Sequence, residues 1–199
     1  PHQAMKTYAL ILAAMLAAPV ASATWKARRD WLIVATLAGL GWRRAEVASL
    51  TREQLIEAPG GFTARVRAKG GKVGFVPVPG WLGEEIDAWC KAQEITSGPV
   101  FPRGPGVAAS ISTMTVWAAV KQVAAAAGVD ATRATPHALR RSFATITGQR
   151  GVSLEDRQAA MLHSSKTTTE RYDKAAKLPS QAPGEALRDL VRRDPKPPR

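Results

Sequence analysis

The chain has 199 residues, 45% of them hydrophobic, enough for one domain or two small ones with a real core and too apolar for wholesale disorder. Lys and Arg number 28 against 16 Asp and Glu, a net charge of +12 that favours a polyanionic partner such as nucleic acid or an anionic membrane surface. The single cysteine, Cys90, excludes an internal disulfide and any CxxC metal site.

Residues Met5–Ala23 (MKTYALILAAMLAAPVASA) have the outline of a secretory leader, with Lys6, the apolar run Ala9–Ala18 and the tripeptide Ala21-Ser22-Ala23. A buried helix ending near Pro19 is the preferred reading. Pro1 stands four residues before the first Met, as in an excised piece, and the cysteine-poor, basic composition fits a cytoplasmic protein. The run is too short, and too interrupted by Pro19, for a membrane span.

Further along, a helix is predicted from about Lys26 to Gly39, with Trp31, Leu32, Val34, Ala35 and Leu37 on its buried side and Gly39 and Gly41 ending it. A short helix over Arg44–Leu50 follows. FTARVR (62–67) and VGFVPV (73–78) read as two strands around the Lys69-Gly70-Gly71-Lys72 turn. Trp81–Gln93 is a predicted helix, Thr96–Ser110 a Gly/Pro-rich loop, and Ser112–Ala127 another helix. Thr135-Pro136 supplies a cap and a first-turn proline for a helix reaching about Gln149. Helices are also predicted over Ser153–Leu162 and around Thr167–Ala176, and an amphipathic stretch over Glu185–Arg193. The expected fold class is therefore mainly α with a small antiparallel β-sheet.

Three segments carry candidate chemistry. In TPHALRRSFAT (135–145), His137, Arg140 and Arg141 fall at i, i+3 and i+4, on one helical face, while Leu139 and Phe143 pack the other way. An imidazole and a guanidinium near a helix N-terminus suit a phosphate, although a solvated basic face explains the same pattern. In LHSSKTTTERY (162–172), His163 precedes Tyr172, a tyrosine among basic and hydroxyl groups that suit a phenolate nucleophile. A lone tyrosine is more often a core or interface residue. In LAGLGWRRAEVASL (37–50), Arg43 and Glu46 form an i, i+3 pair of the kind common on surfaces.

Taken in order, GWRRAEVASL, the KGGK hairpin followed by VPVP, PHALRRSFAT and LHSSKTTTERY resemble the catalytic domain of the tyrosine recombinases, the phage integrase family, over about residues 25–177. Arg140 precedes His163 by 23 positions and Tyr172 follows it by nine, as is usual in that family. The resemblance implies that Arg43 and Arg140 clamp the scissile phosphate and that Lys69 protonates the leaving 5′-oxygen. It further implies His137 as a general acid/base, His163 as a phosphate hydrogen-bond donor and Tyr172 as the nucleophile of a 3′-phosphotyrosine link. Glu46 would support Arg43, and Arg141 and Lys72 would contact DNA, with a solvated turn residue the plainer reading of Lys72. Leu162, where the family usually has Gly, Arg141 for a frequent histidine, Gly74 for a basic residue and Trp42 for a Leu are departures that remove none of these side chains.

The implied partner is double-stranded DNA, engaged by a homo-tetramer, with neither a small-molecule substrate nor a membrane. Neither a cofactor nor a metal is expected: the sequence has no convergent carboxylate cluster and no GxxxxGK[ST] loop. Residues 1–178 would form the catalytic domain and 179–199 a tail, with Glu185–Arg193 a candidate for docking onto a neighbouring protomer. The family's amino-terminal DNA-binding domain is expected to be missing from this chain. Two other readings remain open: a basic DNA-binding module without activity, and a type IB topoisomerase-like relaxing enzyme.

Overall fold

The computed structural model describes residues 10–18, 24–59, 61–67, 73–162 and 182–191. Helix α1 occupies residues 10–16 and sends Ile11, Leu12, Met15 and Leu16 into the core. The apolar run near the amino terminus is thus a packed helix. The cleavage-like tripeptide lies outside the described residues.

Helix α2 (Trp25–Leu40) is the centre of the molecule. One buried side was expected; instead, every residue from Arg29 to Leu40 is buried. The sequence WLIVATLAGL is apolar all round, so no face of this helix gains by meeting water. Packed against α2 are α3 (Arg44–Ala48), α4 (Gly80–Ala92), α5 (Thr113–Ala126), α6 (Pro136–Gln149) and a carboxy-terminal 3₁₀ helix (Pro183–Leu190). Helix α7 (Leu154–Ala160) lies against α6 and that 3₁₀ helix.

Strands β2 (Gly61–Arg67) and β3 (Val73–Val78) pair antiparallel with Phe62 opposite Val78 and Arg67 opposite Val73. A third strand, β1 (Leu55–Ala58), adds to β2 with Leu55 opposite Ala64, giving the order β1-β2-β3. The sequence reading missed β1, because four residues carrying one charge offer no period to recognise. Ala64, Val66, Val76 and Val78 turn inward, whereas Val73 and Phe75 face solvent. Mainly helical with one small antiparallel sheet, the architecture agrees with the expected fold class.

Serine and threonine caps set the helix starts: Thr135 Oγ1 accepts from Ala138 N, Ser112 Oγ from Thr115 N, and Ser153 Oγ from Asp156 N. The expected helix around residues 167–176 lies outside the described residues. Within the stretch expected as a protomer-docking segment, the described part is folded onto the chain's own core. Leu187 is fully buried there, Trp81 Nε1 donates to Gly184 O at 3.0 Å, and Arg150 pairs with Asp189. A Cβ on Gly184 would meet Gly39 O at 1.9 Å, so this close approach of two backbones requires glycine. Among the described residues no helix is long and apolar enough to cross a membrane.

Candidate active site

The site is built where three chain segments meet: the turn from α2 into α3, the first half of α6, and the end of α7. Gly41 ends α2 in the left-handed region (φ 63°, ψ 23°), its N–H donating to Leu37 O at 3.0 Å. A Cβ at Gly41 would stand 2.5 Å from Phe143 Cδ1 and 3.0 Å from Met161 Cγ, so the turn needs glycine for both shape and space. That turn delivers Trp42 inward and Arg43 outward.

Arg43 is the N-cap of α3, on extended backbone, and so stands just before the helix. Glu46 at N3 reaches back to accept from Arg43 N at 2.5 Å and from Arg43 Nη1 at 3.1 Å. Arg43 Nη1 also donates to Leu162 O at 3.3 Å, and half of the side chain (50%) remains exposed. The pair at 43 and 46 is therefore a cap and a brace for one guanidinium.

Arg140 lies in the second turn of α6. The expectation that it shares a solvent face with His137 and Arg141 needs correcting: only 7% of Arg140 is exposed, while His137 and Arg141 are open to solvent. Its guanidinium turns inward toward two backbone carbonyls at helix ends. Arg140 Nη1 donates to Gly41 O at 2.5 Å, and Nη2 to Met161 O at 2.7 Å. Neither partner carries charge. Burial first, and then the nearby positive charge of Arg43, pull the Arg140 pKa down to about 10, with Glu46 opposing. At neutral pH it is still a cation, held in a place that resists one.

The end of α7 ties these parts together. Ala160 O accepts from Trp42 Nε1 at 3.1 Å, Met161 O from Arg140, and Leu162 O from Arg43. Three successive carbonyls at a helix C-terminus, which the helix leaves unpaired and partly negative, thus hold one indole and two guanidiniums. Leu162 itself sits at φ 54°. That conformation costs a residue with a Cβ about 1–2 kcal/mol.

The structure therefore brings Arg43, Glu46 and Arg140 into one constellation, with His137 one turn before Arg140 on α6. Lys69, Lys72, His163 and Tyr172 lie outside the described residues. Sequence reasoning missed the contributions of Gly41, Met161 and Leu162, which act through backbone carbonyls and leave no side-chain signal. Among the described residues no three His, Cys, Asp or Glu side chains gather as metal ligands.

A model of the Phage integrase family matches residues 11–178. The chain belongs to that family. Similar proteins include tyrosine recombinase XerA of Thermococcus kodakarensis, 33% identical over 148 residues that make up 74% of this chain and 51% of the relative. Tyrosine recombinase XerD of Vibrio cholerae is 33% identical over 158 residues, 74% of this chain and 50% of the relative. The chain thus spans about half the length of these curated relatives. Among solved structures, XerA recombinase aligns with a TM-score of 0.62 at 22% identity, covering 92% of this chain and 59% of that one. XerH site-specific recombinase, bound to difH substrate in a pre-cleavage complex, also scores 0.62, at 20% identity, over 88% of this chain and 50% of that one. These structures share the integrase-family fold seen here.

Proposed function

We propose that this chain is the catalytic part of a site-specific DNA recombinase that cuts and rejoins strands through a 3′-phosphotyrosine intermediate. The observation that carries the reading is Arg140, a buried guanidinium bonded to neutral carbonyls beside a second arginine that Glu46 braces. Among the described residues Arg140 hydrogen-bonds to no carboxylate, and a phosphodiester with two non-bridging oxygens supplies an anion for two guanidiniums. Membership of the phage integrase family supports the same conclusion.

In this mechanism Arg43 and Arg140 hold the two non-bridging oxygens and stabilise the charge that grows on them in the transition state. The Tyr172 oxygen attacks phosphorus, giving its proton to His137 as general base. The bond from phosphorus to the 5′-oxygen breaks, and Lys69 protonates the departing oxygen. His163 donates a hydrogen bond to the phosphate, and Glu46 keeps Arg43 in place. One phosphoester replaces another, so rejoining is the same reaction reversed and needs no external energy source. Double-stranded DNA is the proposed substrate, with Arg141 and Lys72 on its backbone, and a tetramer on two sites is the proposed working assembly.

The test is to incubate the protein with a fragmented DNA library, denature in SDS and recover covalent protein–DNA adducts, with Tyr172→Phe alongside. Adducts from the wild type and none from Tyr172→Phe support the reading, and sequencing the trapped DNA names the site. Salt-sensitive DNA binding without adducts would instead make this a binding module. Relaxation of supercoiled DNA without dependence on a partner site would point to a topoisomerase-like enzyme.

A further inference from the structure

Two described residues other than glycine adopt positive φ, Glu94 after α4 and Leu162 after α7, both at 54°. They use the same helix-ending conformation differently. The Glu94 carbonyl is taken by the chain itself, accepting from Thr96 N at 3.1 Å. The Leu162 carbonyl reaches across the site to Arg43 Nη1 at 3.3 Å, one residue after the Met161 carbonyl takes Arg140. Among the described residues Arg43 is otherwise held by Glu46 on the same Nη1, so without Leu162 O its guanidinium would pivot there about a flexible carboxylate.

We propose that Leu162 is a positioning residue of the phosphate site, and that its left-handed backbone, rather than its side chain, does the positioning. The inference rests on the reading of Arg43 and Arg140 as a phosphate clamp. Consecutive carbonyls on one short helix end tie the two guanidiniums to a common rigid point, which fixes their separation before any phosphate arrives. Moving residue 162 to negative φ rotates the peptide that follows it and takes the carbonyl off Arg43. A clamp that must then be assembled on binding loses both affinity and rate.

Two substitutions separate backbone from side chain. Leu162→Val keeps an apolar side chain, but a β-branched residue strongly resists this conformation, whereas Leu162→Asn gives up the apolar side chain and tolerates it well. Inorganic phosphate is titrated into wild type and both variants by NMR, with circular dichroism and urea unfolding showing that each is folded. The expected order is a phosphate Kd raised about ten-fold in Leu162→Val and at most two- to three-fold in Leu162→Asn. On DNA, the rate of adduct formation in a single turnover should fall by about ten- to a hundred-fold in Leu162→Val, with DNA affinity changed far less. The reverse order, with Leu162→Asn the more damaged, assigns the role to the apolar side chain and overturns the proposal, as do equal phosphate affinities in all three proteins. Phosphate binding without DNA adducts in the wild type would overturn the proposed reaction alone, because the phosphate series still decides the role of Leu162. Absence of phosphate binding by the wild type would overturn both.

Discussion

Arg29 and Arg140 are both buried arginines on core-facing helices, and their surroundings differ in how the charge is met. Arg29, 4% exposed, donates to the Asp30 carboxylate at 2.9 and 3.1 Å, to the carbonyls of Pro102 and Arg103, and lies over the Trp25 ring. Its charge is answered within the fold, and it pins the loop after α4 to α2. Among the described residues Arg140, 7% exposed, has two carbonyls and a second arginine nearby instead of a carboxylate of its own. A buried cation bonded only to neutral carbonyls among the described residues is a cost to the fold. On the proposed reading an anion binds there, and the comparison sets a structural arginine against one proposed to hold a ligand.

Removing each cation should break the chain in a different way. Arg140→Met is expected to lower the rate of DNA cleavage by about 10²–10³-fold, the scale of losing one charge-stabilising donor, while unfolding remains cooperative. Single-turnover adduct assays measure the first and urea unfolding the second. Arg29→Met should do the opposite, costing about 2 kcal/mol of stability by removing the bonds to Asp30 and to the Pro102 and Arg103 carbonyls, with Lys26 still pairing Asp30. Its cleavage rate per folded molecule should match the wild type. Equal losses of cleavage in the two variants would erase the distinction.

Gly41→Ala sharpens the comparison by moving an Arg140 acceptor without touching the charge. A left-handed backbone and a methyl group against Phe143 together should cost about 2–3 kcal/mol in urea unfolding. Cleavage by the folded fraction should also fall, because the Gly41 carbonyl shifts with the turn.

The smallest expected effect is in the pH dependence of stability. Burial lowers the Arg140 pKa to about 10 in the folded chain, so above pH 10 the unfolded chain holds more protons than the folded one. Stability contributed by this group therefore rises with pH as it passes about 10, where the buried charge is shed, and the burden is fully present at neutral pH. Unfolding free energies of wild type and Arg140→Met at pH 9 and 11 should show their difference moving in favour of the wild type. Movement in the other direction would mean that the fold answers this charge as it answers that of Arg29.

The sequence by itself determined the helical framework, the β2–β3 hairpin, the cap at Thr135, and the family, because apolar periodicity, capping side chains and spaced motifs are local signals. It also marked Arg43, Glu46 and Arg140 as candidates by residue type and spacing. Only the tertiary structure decided that Arg140 turns into the core while His137 and Arg141 stay outside, since a helical repeat places three residues on one side without saying what that side meets. The roles of Gly41, Met161 and Leu162 were likewise invisible, because a carbonyl oxygen is common to every residue. Its partner is chosen by where the chain carries it, and here packing of α7 against α6 and the α2–α3 turn brings carbonyls from residues 41, 161 and 162 onto two arginines.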